Sequence, residues 1–109
     1  MKLSNDALLI QLGYNVTENT LKDLETIEQN TPGFDTIKNH VVALNDHLKP
    51  LDGYVVMSST NPYLKIKIIA EETEKVEAAL EEINKWATKY KVELKQVNDK
   101  TFYILGVEK

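Results

Sequence analysis

Apolar positions along this chain recur with two periods, and the change from one to the other marks the elements. Leu8, Leu9 and Leu12 make one stripe. That predicts a short helix with Ser4 as its N-cap, Leu3 and Leu8 at hydrophobic-staple spacing and Gly13 just past its end. Leu21, Leu24 and Ile27 face one way and Asp23, Glu25 and Glu28 the other. They predict a second helix capped by Thr17, with Val16 and Leu21 again at staple spacing. Asn30-Thr31-Pro32-Gly33 breaks the pattern. Ile37, Val41, Leu44 and Leu48 then recur at intervals of four, three and four. This is a third helix, starting near Asp35 or at Thr31 and stopped by Pro50.

Period two follows. Asp52-Gly53 turns into a strand at Tyr54–Ser58, and Asn61-Pro62 turns into a second at Tyr63–Ala70. In that second strand Leu64, Ile66 and Ile68 point one way and Tyr63, Lys65 and Lys67 the other. A fourth helix begins at Glu71, Glu72 and Glu74, which suit its positive end. It runs through a stripe of Val76, Leu80, Ile83, Trp86 or Ala87, and Tyr90, with Lys85, Lys89 and Lys91 at the negative end. A hairpin closes the chain: Val92–Val97, the turn Asn98-Asp99-Lys100, and Thr101–Val107.

Residues 55–69 overlay residues 93–107 in pattern at a constant shift of 38, placing Val56 on Leu94, Leu64 on Phe102 and Ile66 on Ile104. The helix–strand–strand unit is thus doubled. The expected class is α+β: two short amino-terminal helices, then an αββαββ core. That order is a circular permutation of the ferredoxin-like arrangement, with two helices on one face of a four-stranded antiparallel sheet. A right-handed crossover through the fourth helix fixes the strand order as 1-2-4-3. Strand three, with Glu93, Lys95 and Gln96, has the polarity of a protected edge. Gly106, in a central strand, allows a close helix approach or marks a bulge. The whole is one domain, residues 1–109, divided into a helical arm (1–31) and a core (32–109).

Composition narrows the function classes. Zero cysteine removes disulfides, thiolate metal sites and cysteine nucleophiles. It fits a cytoplasmic protein, as does an opening apolar stretch too short for a signal peptide. No apolar run approaches the ~20 residues of a membrane span. All 13 basic residues are lysine. The absence of arginine weighs against bidentate phosphate or guanine recognition and phosphoryl transfer. Residues 1–48 hold three lysines against seven carboxylates, a net −4, while the remainder is balanced. An acidic half disfavours nucleic acid and anionic membrane.

No candidate chemistry assembles into a site. His40 and His47 are seven apart on one helix, ~10 Å along its axis, where metal-binding helices space ligands by three or four. Ser58-Ser59-Thr60 has no base within reach and reads as a hairpin entry. Glu71, Glu72, Glu74, Glu77, Glu81 and Glu82 read as a solvated helix face. No glycine-rich phosphate loop is present. The expectation is a non-enzymatic protein without cofactor or metal.

The sheet's outer face is the remaining candidate. With Leu64, Ile66, Leu94, Phe102 and Ile104 inward, the other side shows Tyr63, Lys65, Lys67, Glu93, Lys95, Tyr103 and Leu105, together with Val55 and Met57. Tyrosine mixed with lysine on an open sheet suits RNA, but the acidic balance and missing arginine favour a covered face. The arm, with its leucine stripe, is expected to cover it, either by folding across the sheet of its own chain or, in preference, from a second copy of the chain. The expected role is therefore a homodimeric protein-interaction domain. Its partner-binding residues are Leu8, Leu12, Leu21 and Leu24 on the arm and Tyr63, Lys65, Lys67, Lys95 and Tyr103 on the sheet. One alternative is a nucleic-acid module, either through the open sheet or as a winged helix over residues 4–69 reading with helix 35–48 and its Lys38 and Lys49. Another is a ligand-binding protein or enzyme with a pocket between helices and sheet.

Overall fold

The computed structural model describes residues 4–58 and 61–107. Leu3 of the expected first staple, and Ser59 and Thr60 of the hydroxyl cluster, lie outside them. Four helices, a 3₁₀ turn and four strands follow in the order α1 (Asn5–Gln11), α2 (Glu18–Asn30), α3 (Phe34–Leu48), η1 (Lys49–Leu51), β1 (Gly53–Met57), β2 (Leu64–Ile68), α4 (Thr73–Tyr90), β3 (Val92–Asn98) and β4 (Thr101–Val107). The strands form one antiparallel sheet of order β1-β2-β4-β3.

Local chemistry sets the helix ends. The Ser4 hydroxyl accepts the Ala7 N–H at 3.2 Å. Thr17 and Thr20 form a reciprocal capping box, each side chain accepting the other's backbone N–H. Val16 is 38% exposed and Leu21 is half-buried. Helix α3 starts at Phe34 from Gly33, whose φ of 76° lies in the left-handed region. Pro50 does not end the helical path at once, since η1 carries it one further turn to Leu51. Proline tolerates the first turn of such a helix, where its missing N–H has no partner to lose.

Among the described residues one core cluster draws on all four helices and all four strands. Leu64, Ile66, Ile68, Phe102 and Ile104 from the sheet pack with Ile37, Val41, Leu44 and Leu48 of α3 and with Ala79, Ile83 and Trp86 of α4. Leu94, at the sheet edge, is only half-buried. Helix α3 contacts β1 and β4, and α4 contacts β3. The same core includes Leu8 and Leu9 of α1 and Leu24 and Ile27 of α2. The two helices expected to reach a second copy thus lie against their own chain, α1 on α2 and α3. Lys38, buried on α3, adds a tie to α2 through Glu28 at 3.6 Å and pairs with Asp35 at 2.9 Å.

The two hairpins are not in the same register. In the first, Val55 pairs with Ile66 and Met57 with Leu64. Paired residues share a face, so Val55 and Met57 point into the core and Val56 points out, the reverse of the sequence expectation. Val55 is fully buried, whereas Val56 is not. The first hairpin leaves residues 58–63 between its paired ends, and the second, closing at Asn98 and Thr101, leaves only 99–100. A shift of 38 therefore superposes β2 on β4 but brings β1 onto β3 one residue out of phase, which swaps every face. Register breaks in β3·β4 between Glu93 and Leu94 and between Gln96 and Asn98 contribute to the offset.

Gly106 sits at the first of these breaks, with φ 136°. A Cβ there would come within 2.8 Å of Pro32. The close neighbour is thus the α2–α3 loop, not a helix. The Val107 N–H donates to the Pro32 carbonyl at 2.8 Å, fastening that loop to the end of β4.

Candidate functional site

Pairing across the sheet builds one outward row from all four strands: Val56, Lys65, Tyr103 and Lys95. A second row carries Tyr54, Lys67 and Thr101. None of these seven residues is buried within the chain, and Lys67 and Lys95 are exposed. Tyr63, just ahead of β2, places its ring 6.0 Å from that of Tyr103. The Asn61 side-chain N–H donates to the Tyr103 hydroxyl at 2.8 Å, which fixes the phenol over the hairpin turn. The expected sheet residues Tyr63, Lys65, Lys67, Lys95 and Tyr103 therefore do come together on one surface. It is a cationic, tyrosine-bearing patch in a chain of net charge −4.

The expected arm residues do not join them. Leu8 and Leu24 are 0% exposed and have no surface left for a partner; Leu12 and Leu21 are half-buried against the same core. Leu105, expected on the outer face, has no Cα partner in β3 because the register break passes it over.

Sequence reasoning missed how the sheet's first edge is finished. Among the described residues strand β1 has only β2 as a neighbouring strand. Its Val55 N–H donates to Asn45 Oδ1 at 2.9 Å, and its Met57 N–H donates to the Tyr14 hydroxyl at 3.0 Å. Asn45 is buried on α3, and Tyr14 belongs to the loop after α1. These bonds occupy donors that an edge strand otherwise offers to another chain. The only signal in the sequence was a lone asparagine within the apolar stripe of α3.

The remaining polar groups assemble no catalytic set among the described residues. His40 stacks on Tyr90 with ring centroids 3.6 Å apart, and its carbonyl accepts the Trp86 indole N–H at 2.8 Å. His47 is exposed, with Glu82 3.9 Å away. The Ser58 hydroxyl accepts the Asn61 N–H at 3.3 Å and so organises the hairpin turn. No group of three or more potential metal ligands is found among the described residues, and no helix there is long and apolar enough to cross a membrane. A groove of about 210 Å³ between α3 and α4 is lined by Leu44, His47, Trp86, Lys89 and Tyr90, among others. A more open depression of about 720 Å³ lies along α4 beside Glu81, Asn84, Lys85, Thr88 and Lys89. Lys75 is held above its ordinary 10.5 by a hydrogen bond and charge from Asp52, at 3.0 Å, with a further contribution from Glu72. That pair joins the turn before β1 to α4 and lies outside the tyrosine–lysine surface.

Compared with known proteins, the chain matches no family model, no curated protein and no solved structure.

Proposed function

We propose that this chain is a non-catalytic protein-interaction domain that works as a homodimer in the cytoplasm. Its αββαββ part, with α3 and α4 on one face of the sheet, is read as a permuted ferredoxin-like unit. The observation that supports the interaction reading is the outward row Val56–Lys65–Tyr103–Lys95, none of it buried by the described residues, while the other sheet face is filled. Tyrosines supply rigid amphipathic contact area, and lysines of one sign select an acidic partner surface. The occupant of this face is accordingly a protein with an acidic patch. The cytoplasmic setting rests on the absence of cysteine.

A second reading is favoured by the same tyrosines: single-stranded RNA stacks on sheet-borne aromatic rings between cationic side chains. The net charge of −4 and the lack of arginine oppose it. Fluorescence anisotropy separates the two, using a polyglutamate peptide and an RNA oligonucleotide of equal charge. The peptide is expected to bind in a salt-sensitive way, and Lys65→Glu with Lys67→Glu to abolish that binding. Tighter binding of the RNA establishes the second reading, and no peptide binding removes the acidic partner.

A further inference from the structure

The two edges of the sheet are finished differently. On β1, Asn45 and Tyr14 take the Val55 and Met57 amides. Among the described residues, no side chain from another element caps the backbone of β3 in this way. Glu93, Lys95, Gln96 and Val97 of this strand are all exposed, and Leu94 remains half-buried although its partner Ile104 is 0% exposed. Isolated charges on an edge usually prevent pairing. Here the two charges have opposite signs and stand two residues apart, on the same face of one strand.

We infer that β3 is the homodimer interface: two copies pair antiparallel about Leu94, joining their sheets into one across a two-fold axis. This rests on the homodimer reading above and specifies its geometry. An isologous contact sets each residue opposite its mirror position. With Leu94 opposite Leu94 of the second copy, Glu93 stands opposite Lys95 and Lys95 opposite Glu93, while Val92 meets Gln96. Moving the centre one residue either way within the two-fold arrangement sets Lys95 against Lys95 or Glu93 against Glu93. Like charges directly opposite are destabilising, so the pair of charges vetoes the neighbouring registers and supports one. The strand suits that register. From Val92 to Gln96, β3 has no inserted residue of its own: the first break passes over Leu105 on β4, and the second passes over Val97 beyond the paired stretch. Leu94 is the midpoint of that regular run, and pairing completes its burial. The tyrosine–lysine rows then continue across the dyad, so the dimer presents two such faces side by side.

The test is molar mass by light scattering on four samples besides the wild-type protein: Glu93→Lys, Lys95→Glu, the double variant, and an equimolar mixture of the two single variants. Each single variant sets like charges opposite at both symmetry-related positions and should dimerise roughly tenfold more weakly or worse. The double variant restores unlike pairs and should recover the dimer. The mixture should recover it as a heterodimer, because one chain then carries lysine at both positions and the other glutamate at both. Single variants that dimerise like the wild type overturn the β3 interface while leaving the homodimer standing; a double variant no better than the singles overturns the register. A monomeric wild-type protein overturns both readings. Amide exchange on the wild-type protein adds a readout without mutation. Exchange across residues 92–96 should slow as concentration rises, and unchanged exchange there also overturns the interface.

Discussion

The buried Asn45 side chain accepts the backbone N–H of Val55 at 2.9 Å, so a residue of α3 stands where a fifth strand would otherwise bond. Only the Tyr14–Met57 bond does the same work along this edge among the described residues. The amino-terminal helices thus have a role within the chain: α1 positions Tyr14, and Asn45 Nδ2 reaches back to the Gln11 carbonyl over a long 3.5 Å.

Replacing Asn45 with alanine leaves the Val55 amide buried without an acceptor, which costs about 1–3 kcal/mol. Tyr14→Phe removes one bond at a half-buried position and should cost about 0.5–1.5 kcal/mol. Urea denaturation measures both. Faster amide exchange confined to Val55 in the first variant and Met57 in the second would localise the effect.

Phe102 and Tyr103 are neighbours on β4 with opposite fates, one in the core and one on the open face. Phe102→Ala should lose about 3–5 kcal/mol of stability, the usual loss for a large core aromatic. Tyr103→Ala should lose far less. Equal losses in chemical denaturation would mean that the strand faces are assigned wrongly.

Gly106 cannot accept a side chain in place. Alanine would carry its Cβ to 2.8 Å from Pro32 at a φ of 136°. Gly106→Ala is therefore expected to destabilise by about 1–3 kcal/mol. A thermal melt indistinguishable from wild type would show that the α2–α3 loop is free to shift.

Thr31, between α2 and Pro32, is 2% exposed, and its hydroxyl has no hydrogen-bond partner among the described residues. Its backbone is extended, a conformation valine favours. Thr31→Val replaces an unsatisfied hydroxyl by a methyl group of similar size. It should be neutral or stabilise by up to about 1 kcal/mol. A clear loss of stability would reveal a partner for that hydroxyl.

The first two helix caps were legible in the sequence because their causes are local, and the sheet order because a right-handed crossover allows only one arrangement. Ser4 and Thr17 cap as their chemistry dictates. In β2, Leu64, Ile66 and Ile68 alternate with lysines, so only one face could be inward. Strand β1 offers no such contrast, because Val55, Val56 and Met57 are all apolar. Its facing is decided by register, and register is set by hairpin length and bulges that a pattern overlay cannot resolve. The leucines of α1 and α2 correctly announced that they must be buried, but a stripe does not say against which chain. Of the site, Tyr63, Lys65, Lys67, Lys95 and Tyr103 were legible as a surface because outward positions follow from alternation. Asn45 was not, since its value lies in an amide ten residues away.

The homodimer is the central claim, and the molar mass of the unmodified protein in solution tests it most directly. Light scattering across micromolar concentrations should approach twice the 12.4 kDa of one chain as concentration rises. A mass that stays at 12.4 kDa up to high micromolar concentration contradicts the account.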